Sequence, residues 1–261
     1  MTPDATRSAA ECLIGARKTA TAIEALPPEC VPRSLDDGYT IQEAMLDLCG
    51  WPLAGYKIGC TSDHAQKMLG ADAPFPGRVF RPFLHQSPAT LATADFINPG
   101  VEGEFAFELS HNVPSRPTPW KREEIESCVG ALHPAIEIID TRFTRFADAG
   151  VPNLLADNGA NGGLVLGKAI VDWPSINLAD AGVVMSVGGA VSGQGCGRDV
   201  LGHPLDALTW LANDLSRRGR GLMAGQIVTT GTCTGMQHIS PGSTAVADFG
   251  ALGTVRVTVA T

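Results

Sequence analysis

The chain has 261 residues, of which 44% are hydrophobic, and it carries a formal net charge of −8 at pH 7. This length and composition allow one large domain with a buried core. The negative charge, without a run of Lys or Arg, argues against a nucleic-acid partner and an anionic membrane surface. No segment approaches the roughly 18 to 20 apolar residues of a membrane-spanning helix, and the N-terminus is too polar for a signal peptide. We therefore expect a cytoplasmic protein.

The N-terminal segment, residues 1–54, has a helical pattern. Residues 5–25 place apolar side chains at helical spacing, and the stretch PPECVP that follows Leu26 ends this pattern. A second helix is predicted from a capping box of Thr40 and Glu43, and a glycine follows its last turn. We therefore predict an N-terminal helical segment that precedes the main domain.

Residues 55–261 are predicted to form a β-rich domain. A strand at 51–60 leads into it, and a short helix is expected at about 62–70. Helices are also expected at 120–129 and 203–218. Short β-rich runs separated by turn residues predict strands at 101–109, 135–139, 162–170, 181–187, 225–231, 244–249 and 254–260. Because strands and helices do not alternate, we predict an α+β fold built around a β-sandwich or roll, and not a doubly wound sheet.

Three glutamates stand out as candidate metal ligands. In VEGEFAFE (101–108) the period-two alternation of a strand puts Glu102 and Glu104 on the same face. Glu137 lies in the apolar run PAIEIID (134–140), where an unpaired carboxylate would be costly. Oxygen ligands suit Mg²⁺, Mn²⁺ or Ca²⁺ and leave positions for a chelating substrate. The alternative is a solvated strand face together with an ion pair between Glu137 and an arginine.

The cysteines and one glycine-rich stretch do not indicate a functional site. The seven cysteines include no CxxC or Cys/His spacing of a zinc site, so we expect reduced, packed thiols. The glycine-rich stretch SGQGCGRD (192–199) lacks the strand-to-helix context of a nucleotide-binding loop. We interpret it as a mobile hairpin or lid loop.

Eight motifs occur in the order found in one known family. The chain resembles the branch of the fumarylacetoacetate hydrolase superfamily that contains 2-keto-4-pentenoate hydratases and 4-oxalocrotonate decarboxylases. The resemblance implies a mixed β-sandwich-roll fold, assembly into homo-oligomers (dimers or larger) and a role in the meta-cleavage catabolism of aromatic rings. The motifs are LDDGYTIQEAM (35–45), GYKIGCTS (55–62), LGADAPFPGRVF (69–80), VEGEFAFEL (101–109), PAIEIIDTRF (134–143), LADNGANGGLVLG (155–167), LGHPLDALTWLAN (201–213) and ADFGALGTVRV (247–257).

The resemblance also implies roles for individual residues. The family's metal ligands fall on Glu102, Glu104 and Glu137, which would bind Mg²⁺ or Mn²⁺. A lysine and an acidic residue of the family fall on Lys57 and Asp72, which are the candidate catalytic residues. Without the resemblance, a surface or ion-pair lysine is the favoured interpretation of Lys57, and a turn or cap aspartate is at least as good an interpretation of Asp72.

The chain departs from the family pattern at two places near the expected pocket. Family hydratases often have DNASSG or DNASCG where this chain has DNGANG (157–162), and a segment of the SGSLT type where it has TGTCTG (230–235). We take Asn161 and Thr232 as candidate substrate contacts. These differences leave the identity of the substrate open.

The predicted reaction is the addition of water to a 2-hydroxy-2,4-dienoate, which gives a 4-hydroxy-2-oxo acid. The main alternative is decarboxylation of an oxalocrotonate-type 2-oxo-dioate, for which Arg142 or Arg198 could bind the second carboxylate. An acylpyruvase-type C–C hydrolase is a further alternative, although the segment VPNLLADNGANGG (151–163) lacks the lysine typical of such enzymes. A non-catalytic partner of a related enzyme is the alternative from another class.

Overall fold

The computed structural model describes residues 1–261. None of its helices is both long enough and apolar enough to cross a membrane. The α-helices are α1 (Pro3–Thr19), α2 (Leu35–Cys49), α3 (Asp63–Leu69), α4 (Arg122–Glu126), α5 (Val151–Ala156) and α6 (Pro204–Arg217). The strands are β1 (Leu53–Gly59), β2 (Phe75–Phe80), β3 (Leu84–Gln86), β4 (Ala89–Ala92), β5 (Gly100–Leu109), β6 (Val129–Ile139), β7 (Asn161–Leu166), β8 (Gly182–Val187), β9 (Ala190–Cys196), β10 (Ile227–Thr232), β11 (Gln237–His238), β12 (Thr244–Asp248) and β13 (Thr254–Ala260).

The strands form two mixed sheets. The larger sheet has the order β2-β1-β10-β5-β6-β7-β3, with β11 paired to β5, and the smaller has the order β4-β13-β12-β8-β9. Apolar side chains from both sheets share one hydrophobic core. Within it, the rings of Phe105 on β5 and Phe249 after β12 have centroids 5.3 Å apart. The predicted α+β fold with a β-sandwich-roll body is therefore confirmed.

The two N-terminal helices are part of a second hydrophobic cluster. Their apolar faces pack together with Phe80 at the end of β2, with Phe143 and with Ala156 of α5. The helices therefore cover one flank of the larger sheet. The division of the chain at residues 1–54 and 55–261 stays a prediction.

The start of α2 differs from the prediction. The helix begins at Leu35, and its N-cap is Ser34, whose side chain accepts a hydrogen bond from Asp37 N. Thr40 lies inside the helix and donates to Asp36 O at 2.7 Å, so the predicted capping box of Thr40 and Glu43 is wrong. The earlier serine caps the first turn, and the threonine then satisfies its hydroxyl within the helix.

The glycine-rich stretch 192–199 is not a lid loop. Most of it belongs to β9, which pairs antiparallel with β8 in a hairpin, and a short 3₁₀ turn follows at Gly197–Asp199. The hairpin in the prediction is right and the lid loop is wrong. A Cβ at Gly195 would lie only 1.9 Å from Cys233 O, so glycine lets the strand approach the neighbouring backbone. Close approach, and not mobility, accounts for the glycine there.

Candidate metal centre and active site

The three candidate ligand residues lie side by side on two adjacent strands. β5 and β6 are antiparallel, with Glu102 directly opposite Glu137, and Glu104 is two residues further along β5. One oxygen from each of the three carboxylates lies within 4.8 Å of the other two. Glu104 and Glu137 are both 0% exposed, while Glu102 is partly exposed. The structure thus brings all three together in a buried cluster, hereafter the glutamate cluster.

One oxygen of each buried glutamate is held by the protein, and the other oxygen is not. Oε2 of Glu104 accepts hydrogen bonds from the Thr229 hydroxyl and from Gly231 N, whereas Oε1 has no hydrogen-bond partner. Oε1 of Glu137 accepts from Asn161 Nδ2 at 2.9 Å, whereas Oε2 has no hydrogen bond of good geometry. This arrangement orients both carboxylates: Oε1 of Glu104 is left without a partner, and Oε2 of Glu137 faces the ammonium of Lys57 at 3.3 Å. Sequence reasoning missed the roles of Thr229 and Gly231.

Lys57 lies next to the cluster, and its aliphatic stem passes close to two glycines. It is buried on β1, and its Nζ is 3.3 Å from Glu137 Oε2. A Cβ at Gly77 would lie 3.0 Å from Lys57 Cγ, and a Cβ at Gly159 would lie 3.2 Å from Lys57 Cδ. Larger residues at either glycine would therefore crowd the lysine stem. These two glycines, which sequence reasoning did not single out, define the path of Lys57.

The glutamate cluster carries excess negative charge. Three carboxylates and the one ammonium of Lys57 give a formal charge of −3 + 1 = −2. Burial raises the pKa of Glu102 to about 7, and Glu137 adds to the shift. Burial, followed by the neighbouring carboxylates, also raises the pKa of Glu104 well above its ordinary value. Two oxygens without a hydrogen-bond partner, an all-oxygen donor set and three carboxylates against one ammonium together fit a divalent cation such as Mg²⁺ or Mn²⁺.

The pKa of Lys57 responds to the same charges. Burial alone lowers it, but Glu137, Glu102 and Glu104 more than offset this effect, and the net pKa is raised. The side chain is therefore an ammonium at neutral pH. It is suited to binding an anionic group, because a permanent positive charge stabilises an oxyanion.

A cavity of about 520 Å³ opens beside the cluster. Lys57, Glu102 and Thr232 line it on the polar side, and Asp199 and His64 contribute further polar groups. Apolar side chains from β1, α3, β2, β6 and α5 and their connections line most of the remainder. They include Ile58, Leu69, Phe75, Ile139, Phe146 and Leu154. A polar end next to a mainly apolar wall suits a small acid with an apolar tail.

Asp72 is not brought to this cavity. α3 ends at Gly70, which adopts a left-handed conformation, and Asp72 follows in an exposed bend. The acidic partner of Lys57 is Glu137 and not Asp72. Asp72 therefore does not hold Lys57 in this structure, because the turn after α3 directs the chain toward solvent. Its catalytic role stays a prediction that this geometry does not support.

The two candidate substrate contacts differ in position. Thr232 lines the cavity and lies opposite Glu104 in the β5–β10 pairing. Asn161 is fully buried behind the cluster, where its amide group holds Glu137. The position of Thr232 is compatible with direct contact, whereas Asn161 acts on the cluster through Glu137. Substrate contact by either residue stays a prediction.

The segment before Asn161 forms a second buried polar network. The Asp157 carboxylate accepts from the Thr141 hydroxyl, from Arg142 N and from Arg142 Nε. The side chain of Asn158 makes two hydrogen bonds with the backbone of Arg78. Its Oδ1 accepts from Arg78 N at 2.7 Å, and its Nδ2 donates to Arg78 O at 2.8 Å. The DNGANGG motif draws attention to this segment, but the partners come from distant parts of the chain and could not be identified from it.

Comparisons with known proteins agree with this geometry. Residues 58–260 match the model of the fumarylacetoacetate (FAA) hydrolase C-terminal family. The chain therefore belongs to the fumarylacetoacetate hydrolase family. It is 31% identical over 265 residues to a 2-keto-4-pentenoate hydratase from Paraburkholderia xenovorans, covering 98% of this chain and 95% of the relative. It is 33% identical over 204 residues to a 2-hydroxyhexa-2,4-dienoate hydratase from Comamonas testosteroni, covering 76% of each. The resemblance seen in the motifs is thus confirmed.

Solved structures share the fold. A 4-oxalocrotonate decarboxylase from Pseudomonas putida, complexed with magnesium and adipate, superposes with a TM-score of 0.92 at 24% identity, covering 99% of this chain and 98% of that one. A fumarylpyruvate hydrolase from Pseudomonas aeruginosa, in complex with Mn²⁺ and pyruvate, gives a TM-score of 0.63 at 17% identity, covering 80% and 91%. At these identities the likeness establishes the fold and not the reaction.

Proposed function

We propose that the chain is a divalent-metal-dependent hydro-lyase that adds water to a 2-hydroxy-2,4-dienoate, giving a 4-hydroxy-2-oxo acid. The observation that carries the proposal is the buried, charge-imbalanced glutamate cluster at the polar end of a mainly apolar cavity. The sequence relatives that are hydratases support the same reaction. Homo-oligomeric assembly, a cytoplasmic location and a role in aromatic catabolism remain part of this proposal.

Glu102, Glu104 and Glu137 are the residues that would hold the cation. When bound there, Mg²⁺ or Mn²⁺ supplies a Lewis acid that stabilises negative charge on the oxygens of a 2-oxo acid. Thr229, Gly231 and Asn161 keep the carboxylates oriented for this task. The orientation is built before the ligand arrives, so little reorganisation is needed during the reaction.

Lys57 is proposed to bind the acidic end of the substrate. Its ammonium, held by Glu137, can stabilise the substrate carboxylate or the enolate charge that develops as protons move along the conjugated chain. The Thr232 hydroxyl, on the same side of the cavity, can donate a hydrogen bond to a substrate oxygen. The substrate's polar end is therefore fixed at the cluster, and its unsaturated tail extends along the apolar wall.

Addition of water also needs a group that orients the water and takes its proton. Asp199 is the second carboxylate that lines the cavity, and one of its oxygens accepts from Cys196 N at 2.8 Å. Asp72 would have to move from its exposed bend to reach the same space. We therefore assign the water-orienting role to Asp199 in preference to Asp72.

The cavity favours hydration over decarboxylation of a dioate. Arg142 is paired with Asp157, and the exposed Arg198 is paired with Asp180, so both candidates for binding a second carboxylate are engaged elsewhere. Apart from Lys57, the basic residue that lines the cavity is His64, which is exposed on α3. A second carboxylate would thus meet mainly apolar side chains and lose hydration without compensation.

The test is product analysis with freshly generated 2-hydroxypenta-2,4-dienoate, Mg²⁺ and isotopically labelled water. We expect loss of the dienol ultraviolet absorbance and formation of 4-hydroxy-2-oxopentanoate. The oxygen of the labelled water should be found in the hydroxyl group on its fourth carbon. Excess chelator should abolish the reaction. Release of CO₂ from an oxalocrotonate-type substrate, without hydration of the monoacid, would identify a decarboxylase. Turnover by the purified chain alone would exclude a non-catalytic partner.

A further inference from the structure

An arginine of the N-terminal helix contacts the backbone behind the glutamate cluster. Arg17, near the end of α1, donates from Nη1 to Asn161 O at 2.5 Å and from Nη2 to Gly162 O at 2.8 Å. Its Cζ lies 3.9 Å from the centre of the Phe83 ring. Stacking on an aromatic face and two hydrogen bonds leave the planar guanidinium little freedom.

The strand pairing is irregular at the point where Arg17 binds. Ile138 of β6 pairs with Gly163 of β7, whereas the next residue, Ile139, pairs with Asn161. One extra residue therefore lies on β7, as in a β-bulge, and the ladder alone does not fix the backbone there. The guanidinium bridges the carbonyl group of Asn161 and that of the extra residue, Gly162.

Asn161 connects the arginine to the cluster. Its carbonyl binds Arg17, and its side-chain Nδ2 donates to Glu137 Oε1 at 2.9 Å. Arg142 also approaches Asn161 O, at 3.3 Å, but its remaining contacts are with Asp157. Arg17 is thus the group that ties this carbonyl to the next one and to the N-terminal helix.

We propose that Arg17 is a positioning residue for the metal centre: it fixes the backbone of Asn161, so that the amide side chain holds Glu137 in its ligand orientation. The inference rests on the proposed metal site and extends it to the N-terminal helical segment. A residue that only docked α1 onto the sheet would affect folding stability but not the affinity for a cation.

The experiment is a calorimetric titration of the metal-free full-length chain with Mn²⁺. Loss of a group that orients a metal ligand typically weakens affinity about 10- to 100-fold, and we expect that loss for Arg17→Met. Arg17→Lys keeps the positive charge but cannot donate from two guanidinium nitrogens at once, so we expect an intermediate loss of Mn²⁺ affinity. Arg7→Met is the matched control, because Arg7 is exposed on the same helix and pairs with Glu11.

A double-mutant comparison tests whether Arg17 acts on Glu137 through the side chain of Asn161. In Asn161→Ala the amide that holds Glu137 is absent, so adding Arg17→Met should change the Mn²⁺ affinity by less than about 2-fold. Unfolding in chelator is measured for every variant, to separate folding stability from affinity. If Arg17→Met does not fold, Arg17→Lys provides the comparison.

Three results would overturn the proposal. The first is a variant of Arg17 with lowered stability but unchanged Mn²⁺ affinity. The second is an equal loss of affinity with and without the Asn161 amide. The third is a wild-type chain that binds no Mn²⁺, which would also refute the proposed metal site. The first two leave that site intact, so the two failures can be told apart.

Discussion

Two buried ionic groups lie close together in this protein, and they differ in one respect. In the first, Arg142 and Asp157 face each other, and both oxygens of the Asp157 carboxylate accept hydrogen bonds. In the second, three glutamates share a single lysine, and Glu104 and Glu137 each keep an oxygen without a hydrogen-bond partner. Asn161 touches both groups, through its carbonyl and its amide.

The difference separates a structural role from a functional one. In a buried ion pair whose hydrogen bonds are complete, each charge is neutralised by its partner. Removal of one partner leaves the other as an isolated buried charge. A buried excess of negative charge is unfavourable until a cation enters. The first group therefore maintains the fold, and the second is organised for a ligand. Substitutions in the two groups should have opposite consequences.

The largest expected effect is on activity, from Glu104→Gln. The amide keeps the shape of the side chain but removes a ligand charge, so we expect kcat/KM to fall by about 1000-fold or more, equivalent to about 4 kcal/mol of transition-state stabilisation. The melting temperature in chelator should not fall, because burial and the neighbouring carboxylates raise the pKa of Glu104 and already disfavour its charged form, so the neutral amide removes no favourable charge. Glu108→Gln, on the same strand but outside the cluster, is the matched control. Near-normal turnover in Glu104→Gln would refute the site.

The converse substitution is Asp157→Asn. It leaves the buried Arg142 guanidinium without its carboxylate, and breaking such a pair costs about 3 to 5 kcal/mol. Urea unfolding should show this loss of stability in the presence and in the absence of metal. If Asp157→Asn is as stable as wild type while Glu104→Gln is not, the contrast between the two groups is reversed and the account fails.

Lys57→Met tests the positive charge beside the cluster. Removal of one preorganised charge that stabilises an oxyanion typically costs about 100-fold in kcat or more, and we expect that order of loss. With saturating Mg²⁺ the change in unfolding free energy should stay within about 1 kcal/mol. Lys168→Met, at an exposed lysine, is the control. A large loss of stability with unaltered kinetics would mean that Lys57 serves only the fold.

An exposed ion pair should have the smallest effect. The Arg116 side chain, followed by Lys121 N, holds the pKa of Glu124 at about 2, below its ordinary value of 4.5. A lowered pKa stabilises the folded state above pH 4.5, and this contribution is lost as the pH falls toward 2. The difference in melting temperature between wild type and Glu124→Gln should therefore shrink on acidification. A difference that grew at low pH would contradict the assignment.

The sequence specified the local part of the site and not the long-range part. The placement of Glu102 and Glu104 on one face follows from the period of a strand, which needs no knowledge of the fold. That Glu137 lies opposite Glu102 depends on the register of β5 and β6, and that Lys57 reaches them depends on the order of strands in the sheet. From the residues alone the grouping of the three glutamates was one of two alternatives, and the role of Lys57 entered through the family resemblance, because register is decided by tertiary packing.

The features that the sequence did not reveal have a common physical origin. Asp72 is a candidate catalytic residue from the resemblance, but the direction of the turn that leaves it exposed after α3 is set by backbone geometry that the motif does not encode. Thr40 was taken as a cap, although Ser34 offers the same hydroxyl chemistry six residues earlier. Arg17 lies 144 residues from Asn161 along the chain, and no spacing rule connects such positions.

The most direct test of the central claim is a titration of the metal-free chain with Mn²⁺, followed by electron paramagnetic resonance of the free ion. We expect one tight site per chain, competition by Mg²⁺, and loss of that site in Glu137→Gln but not in Glu108→Gln. If the wild-type chain takes up no Mn²⁺, or if Glu137→Gln binds it as tightly as wild type, the glutamate cluster is not the metal centre.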